Sequence, residues 1–294
     1  MSVQKIPNIW PRFGVLALCF SVLAACAPTE EINALKQRTL DNLVFVEGGT
    51  FMMGDVGYVD ENGQQQIFGP DADAFPLHQV TLSNYSILKY EVTFAEYDLF
   101  AEVTGREKPL LRYRSETYAG PSYPVDGVTW HESRAYCQWL GEQIGYPVDL
   151  PTEAQWEYAA RSRGKAVAYA TDNGKFEPGR NIRDAKQIWH EMPVGSWPPN
   201  PLGIHDMTGN VDEWTLDWWH PYNDKPKNDP RYETVKYQEY ASHKVTRGSG
   251  IIGGRGQITL YVRVVREPDN TGSGIGIRCV ANHPEPITTL RETP

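Results

Sequence analysis

The sequence predicts one globular domain that is rich in loops and holds a few helices and short strands. Its 294 residues include 26 glycines and 22 prolines, which favour turns. Nine tryptophans and sixteen tyrosines, within an apolar fraction of 40%, favour a packed core and exclude a disordered chain. After residue 43 the chain shows no internal repeat and no low-complexity linker, so we expect a single domain.

Short alternating segments predict the strands. Residues 44–46 and 50–54 flank a glycine turn and predict a hairpin, and residues 78–82 alternate as a further strand. In the second half of the chain only residues 261–265 and 276–280 have strand character. The remainder of that half is predicted to be loop.

Apolar spacing and cap residues predict three helices. Residues 91–100 carry apolar side chains at helical spacing, with Thr93 as the N-cap. The longest predicted helix covers residues 130–144 and ends at Gly145. Residues 151–161 open with a threonine cap and continue as a third helix.

The first 25 residues are typical of a secretory signal. Lys5 and Arg12 precede an apolar run over residues 13–25, which is too short to span a membrane as a helix. The following Leu23-Ala24-Ala25-Cys26 resembles a bacterial lipobox, which implies acylation of Cys26 and firm attachment to a lipid membrane. The residue after Cys26 is alanine and not aspartate, which resembles the signal that sorts lipoproteins to the outer membrane. There the protein would face the periplasm or the surface. An ordinary signal peptide that contains a cysteine is the alternative.

The charge of the chain excludes nucleic acid as a partner. There are 28 basic and 37 acidic residues, for a net charge of −9, whereas nucleic-acid binders present a basic face. An acidic domain is repelled by anionic lipid, so we expect membrane attachment to depend on the acyl group. We interpret residues 26–42 as a lipidated tether, 43–283 as the domain and 284–294 as a frayed tail.

Six segments, in this order, resemble the formylglycine-generating enzyme or sulfatase-modifying factor family. They are VEGGTFMMGD (46–55), KYEVTFAEYDLF (89–100), YPVDGVTWHESRAYCQWLG (123–141), LPTEAQWEYAAR (150–161), PVGSWPPNPLGIHDMTGNVDEWTLDWW (193–219) and GIGIRCV (274–280). The resemblance covers residues 43–283 and implies an α+β fold related to C-type lectins. It does not imply one activity, because members include copper oxidases, iron enzymes, siderophore-maturation proteins and lipoproteins of secretion machinery.

The residues that would bind copper are absent from the sequence. The family's copper oxidases hold Cu(I) with two cysteines shortly after an Arg-Gly-Gly-Ser-aromatic turn, because thiolates are soft ligands. The matching residues 246–257 contain no cysteine and are rich in glycine. We therefore expect no copper and no formylglycine generation by the family's mechanism. The spacing of the seven histidines predicts no iron site either.

The resemblance also implies that Cys137 and Cys279 form a disulfide, because they match the family's structural cysteines. An exported compartment favours oxidation. Such a bridge would close a loop of about 140 residues and stabilise the fold by ~4–5 kcal/mol. A redox-active pair is the alternative.

A further implication of the resemblance is structural Ca²⁺. The implied ligands are the Asp206 carboxylate, the Gly209 and Val211 carbonyls and the Glu213 carboxylate. Calcium prefers six to eight hard oxygen ligands, which these groups supply in part. The alternative is a carboxylate pair that caps a turn. A weaker second site would use Asn181 and Ile182, with Asp184 as a substitute ligand in a shortened loop.

Basic and aromatic residues in the C-terminal half suggest a pocket. Arg247 and Arg255 would lie near the former copper position and attract an anionic group. Trp218 and Trp219 are the aromatic residues that we most expect to be exposed, in a groove for a peptide or glycan. The alternative is that these aromatics belong to the core.

Two functions remain open at this stage. The first is a lipid-anchored, non-catalytic binding or assembly component of an envelope or secretion machine, with envelope proteins as partners. The second is a divergent metal-dependent oxidase that acts on an exported protein, a peptide or a siderophore-like metabolite. The sequence does not decide whether the protein is an enzyme.

Overall fold

A computed structural model describes residues 23–69, 72–109, 120–184, 190–234, 242–248 and 259–291 of the chain. The predicted signal as far as residue 22, the side chain of Cys26, and Arg255 fall outside this part. In the described residues no helix is both long enough and apolar enough to cross a membrane.

Four α-helices are present in the described residues. They are α1 (Leu23–Asn42), α2 (Phe94–Thr104), α3 (Trp130–Ile144) and α4 (Glu153–Ala160). The last three begin with a capping box, in which Thr93, Thr129 or Thr152 exchanges hydrogen bonds with the residue three positions later. Helix α3 ends at Gly145, whose φ of 79° lies in the left-handed region. These local signals explain why the three predicted helices form.

The strands are short. They are β1 (Leu43–Val46), β2 (Gly49–Met53), β3 (Tyr58–Val59), β4 (Gln65–Gln66), β5 (His78–Leu82), β6 (Tyr85–Leu88), β7 (Val148–Asp149), β8 (Asp212–Trp218), β9 (Lys227–Asn228), β10 (Lys244–Arg247), β11 (Val264–Arg266), β12 (Ile275–Gly276) and β13 (Val280–Ala281). They form two four-stranded sheets, β1-β6-β13-β7 and β11-β10-β8-β12, a three-stranded sheet β2-β5-β9, and the hairpin β3-β4.

The predicted hairpin between residues 44–46 and 50–54 is wrong, although both strands exist. Strand β1 pairs with β6, and β2 pairs with β5 in a different sheet. The backbone at Gly48 lies so close to the β5–β6 turn that a Cβ there would be 2.1 Å from the Leu82 carbonyl oxygen. This close approach, which only glycine permits, separates β1 from β2.

The predicted disulfide is confirmed. Cys137 on α3 and Cys279 beside β13 are bonded across a sequence separation of 142, with their Cα atoms 5.6 Å apart. Both cysteines are fully buried in a core formed largely by α2 and α3. The bridge therefore joins the main helix to the sheet that contains both β1 and β13.

Both ends of the described chain pack on the domain, which differs from the predicted tether and frayed tail. Leu35 in the second half of α1 is completely buried against the core formed by α2 and α3. Near the other end Ile287 is buried, and the Arg291 N–H donates to the Ile144 carbonyl at 3.1 Å. Apolar side chains in otherwise polar segments account for this docking.

Candidate functional site

The loop of residues 206–213, which leads into β8, turns sharply in a buried position. Asp206, Gly209 and Asn210 all have positive φ, at 61°, 98° and 57°. The carboxylate of Asp206 accepts the Gly195 N–H at 2.6 Å. The Gly209 N–H donates to the Gly248 carbonyl at 2.7 Å, which ties the loop to the end of β10. We name this segment the acidic loop.

Glu213 is held in a buried ion pair. Its carboxylate accepts hydrogen bonds from Arg278 Nη2 at 2.7 Å and Nε at 3.0 Å, and both side chains are fully buried. The Trp156 indole N–H donates to the other oxygen at 2.7 Å. This bidentate geometry is the favourable arrangement for a charge pair in the core.

Glu91 completes the site, and the sequence interpretation missed it. Its Oε2 accepts the Asn210 side-chain amide at 2.7 Å, while its Oε1 is buried without a hydrogen-bond partner in the described residues. Burial and the nearby Asp206 charge raise the pKa of Glu91 well above its ordinary value. Glu91 lies in the loop before α2, two residues ahead of the Thr93 N-cap that the sequence predicts.

The acidic loop and its neighbours therefore carry excess negative charge. The charges of Asp206 and Glu213 raise the pKa of Glu91, the charge of Glu213 also raises the pKa of Asp206, and Arg278 is the cation that opposes both shifts. Burial raises the pKa of Asp206 to about 6, although the hydrogen bond from the Gly195 N–H acts to lower it. An unmade hydrogen bond and unpaired buried charge are costly, so the site favours either a proton or a bound cation.

In the described residues, no group of three or more His, Cys, Asp or Glu side chains is arranged to hold a metal ion. The predicted calcium set has only two carboxylates, and backbone carbonyls supply its other oxygens. It therefore remains a prediction.

Two oxygens of the weaker predicted calcium site already accept hydrogen bonds within the protein. The Asn181 side-chain oxygen accepts the Glu177 N–H at 3.0 Å, and the Ile182 carbonyl accepts the Gly179 N–H at 2.8 Å. The Asn181 amide nitrogen donates within the same loop, to Asp172 among others. Asp184 lies at the end of a described segment, and the structure brings no metal-binding geometry to it.

The expected pocket at Arg247 is wrong, because this arginine lies in the core. Its guanidinium, which is fully buried, pairs with Glu153 at 2.7 Å and Glu157 at 2.9 Å. Arg263 pairs with Glu153 at 2.6 Å, and Arg161 with Glu157 at 2.8 Å. Burial opposes ionisation of Glu153, but Arg263 and Arg247 lower its pKa to about 2. These arginines balance buried carboxylates and are not available to an anionic ligand.

The two tryptophans expected in an exposed groove are half-buried. Trp218 and Trp130 sandwich the buried ammonium of Lys244, whose Nζ lies 4.0 and 3.8 Å from their ring centroids. Trp219 belongs to the same end of β8, and its backbone N–H donates to the His243 carbonyl at 2.9 Å. This arrangement matches the alternative in which the aromatics pack loops and strands together.

The described residues form an α+β domain of four helices and short strands, in the C-type-lectin-like fold class that its solved neighbours share. Residues 28–283 match the sulfatase-modifying factor enzyme 1-like domain, and the chain belongs to this family. Solved structures with a similar fold include that of PvdO from Pseudomonas aeruginosa. That chain is 29% identical, with a TM-score of 0.65 over 81% of this chain and 93% of PvdO.

Curated relatives carry several different names. A formylglycine-generating enzyme of Mus musculus is 27% identical over 83% of this chain and 76% of its own length. A Bos taurus protein named inactive Cα-formylglycine-generating enzyme 2 is 27% identical over 83% and 89%. Serine/threonine-protein kinase pkn1 of Chlamydia pneumoniae is 28% identical over 89% of this chain, which spans only 41% of that relative's length.

Proposed function

We propose that the protein is a lipid-anchored, non-catalytic binding or assembly component of the bacterial cell envelope. The observation that carries this proposal is the use of its four cysteines. Cys137 and Cys279 are bonded to each other, and Cys19 and Cys26 belong to the predicted signal and anchor. A copper site of the family's kind needs two thiolates, and no pair is left to supply them.

Two further observations support a role without oxidation chemistry. Arg247, the described arginine of the predicted anionic pocket, is held in buried ion pairs with Glu153 and Glu157. The name of the bovine relative describes a family member as inactive, which supports the view that the scaffold persists without the reaction.

The anchor would be Cys26, at the start of α1. Because the second half of α1 packs on the domain, the lipid and the domain would be joined by a helix. An α-helix rises about 1.5 Å per residue, so the length of α1 would fix the distance between the acylated residue and the domain. We place the protein at the outer membrane, facing the periplasm or the surface, with envelope proteins as its partners.

The acidic loop would hold a structural Ca²⁺. The donor types suit a hard cation: they are the Asp206 carboxylate and the Gly209 and Val211 carbonyls, to which we add Glu91 Oε1, a buried oxygen with no hydrogen-bond partner in the described residues. Glu213, whose oxygens already accept from Arg278 and Trp156, would add charge. A divalent cation would offset the excess of carboxylates over Arg278 and fix loops that have little helix or sheet to support them.

The test is the metal content of the purified full chain, measured by mass spectrometry after removal of loosely bound ions. We expect calcium and only trace copper and iron. Copper or iron at one per chain would overturn the non-catalytic role and favour the divergent oxidase. The anchor is tested in parallel: Cys26→Ser should move the protein out of the membrane fraction, and Cys19→Ser should not.

A further inference from the structure

The structure concentrates exposed apolar side chains in one hairpin. Four of the six large hydrophobic side chains that are exposed in the described residues are Met52, Tyr58, Val59 and Ile67. Val59 is 64% exposed and Ile67 52%. The last three belong to residues 57–69, which contain β3 and β4 and which we name the apolar hairpin. Exposed apolar side chains that are grouped on one element favour an interaction site.

The base of the apolar hairpin is firmly braced. The buried Asp55 carboxylate accepts the backbone N–H groups of Gly57 at 2.9 Å, Phe68 at 3.1 Å and Gly69 at 2.8 Å. The Phe68 ring contacts Tyr58 at 5.2 Å between centroids and stacks on Tyr261 at 5.7 Å. The hairpin is therefore fastened to the core by three hydrogen bonds and a row of aromatic rings.

Its tip is also ordered by its own hydrogen bonds. Asp60 Oδ1 accepts the N–H groups of Asn62 at 2.9 Å and Gln64 at 2.8 Å, and its Oδ2 accepts the Gln66 amide at 3.0 Å. These contacts fix the turn that joins β3 to β4, between the exposed Val59 and Ile67. A surface that is ordered before binding loses less conformational entropy when it binds.

The charge around the hairpin indicates the kind of partner. The hairpin itself, residues 57–69, contains Asp60 and Glu61 and no lysine or arginine. Glu61 is exposed beside Val59 at the tip. Anionic lipid and nucleic acid would both be repelled. A protein segment that carries basic and apolar side chains would complement both the charge and the apolar surface.

We propose that the apolar hairpin docks a basic, apolar segment of a partner protein. Val59 and Ile67 form the apolar contact, and the exposed carboxylate of Glu61 pairs with the partner's lysines or arginines. This inference rests on the binding role proposed above and adds the surface and the chemistry of the partner. It does not depend on calcium or on the acyl anchor.

The probe is a dye-labelled ten-residue peptide of alternating lysine and valine, titrated with the full chain and followed by fluorescence anisotropy. We expect saturable binding that weakens at least about tenfold in the Val59→Ser, Ile67→Ser double variant, because hydrophobic anchors dominate such contacts. Glu61→Lys should also weaken binding, more so at low salt. The matched control is Phe176→Ser, Leu290→Ser, which removes exposed apolar side chains elsewhere and should bind normally.

Unchanged affinity in the double variant, with an unchanged melting temperature, would overturn the proposal. So would equal binding of a lysine–serine peptide, which would show attraction by charge alone. A dimer in sedimentation that the double variant abolishes would assign the hairpin to a second copy of this chain. None of these results depends on whether the protein binds copper or iron. The proposed non-catalytic role is therefore judged separately, by metal content.

Discussion

Arg278, in the segment between β12 and β13, pairs with the carboxylate of Glu213 on β8, and both side chains are fully buried. The same guanidinium donates to the Leu88 carbonyl at 2.9 Å and the His205 carbonyl at 2.9 Å. It therefore ties the acidic loop to the first sheet. Removal of Arg278 would leave a cluster of buried carboxylates without its main cation.

We predict that Arg278→Met lowers the free energy of unfolding by about 3–5 kcal/mol, because an uncompensated buried charge remains. Urea unfolding measures this loss. The control is Arg163→Met, which breaks the exposed pair with Glu47 and should cost less than about 1 kcal/mol. Equal losses in the two variants would contradict the importance assigned to the buried pair.

Chelation should destabilise the protein if the acidic loop binds calcium. A ligand that binds only the folded state at about 100 times its Kd adds ~2.7 kcal/mol, so a chelator should lower the Tm by several degrees. Glu91→Gln should reduce the shift, because it removes charge from the proposed ligand set while keeping the shape. Glu142→Gln, on helix α3, should leave the shift unchanged. If neither chelator nor added calcium changes the Tm of the wild-type chain, the calcium site is refuted.

The disulfide prediction concerns the long loop that the bridge closes. The double variant Cys137→Ser, Cys279→Ser should lower the free energy of unfolding by ~4–5 kcal/mol. The reason is that the bridge closes a long loop, so its removal gives the unfolded chain much more conformational freedom. Chemical unfolding with and without reductant gives the same comparison in the wild-type chain. The double variant should show no response to reductant, and a response there would mean that the effect arises elsewhere.

The helix that precedes the domain can be tested as a structural element. Leu35→Ala should cost about 2–5 kcal/mol, the usual range for truncating a fully buried leucine. Leu290→Ala, at a position that is 46% exposed, is the matched control and should have little effect. If Leu35→Ala were equally without effect, residues 26–42 would behave as the lipidated tether that the sequence predicts and not as part of the domain.

The helices were predictable because their signals are local. Thr93, Gly145 and the apolar spacing of residues 130–144 act within a few residues, so no knowledge of the fold was needed. Strand β8 was missed although Trp214, Leu216 and Trp218 alternate with polar residues, because its polar side chains, of kinds that are mostly found at the surface, are buried here as well. Strand β10 was missed for the same reason.

The site was only partly predictable because its contacts cross large sequence separations. Arg247 looked available in the sequence, but its partners Glu153 and Glu157 are 94 and 90 residues away. Glu91 reaches Asn210 across 119 residues, and nothing in its local sequence marks it as part of a site. The acidic loop itself was found only through the resemblance to a family, since the residue types alone allow a capped turn.

Lys244 provides a pH prediction whose sign can be worked out. Burial lowers the pKa of Lys244 to about 7 in the folded protein, although Asp217 opposes the shift. In the unfolded chain the same amine keeps its ordinary pKa near 10.5. Between these values the unfolded chain binds more protons than the folded one, so this group makes stability rise as pH increases from about 7 to 10.

Lys244→Met should remove that rise, because it keeps an unbranched side chain between Trp130 and Trp218 without a titrating amine. Urea unfolding at intervals from pH 6 to pH 10 measures the slope, with Lys225→Met at an exposed position as the control. The control should retain the wild-type slope. If Lys244→Met also retains it, the two indole faces and the Leu216 carbonyl keep the ammonium charged throughout, and the pH dependence belongs to other groups.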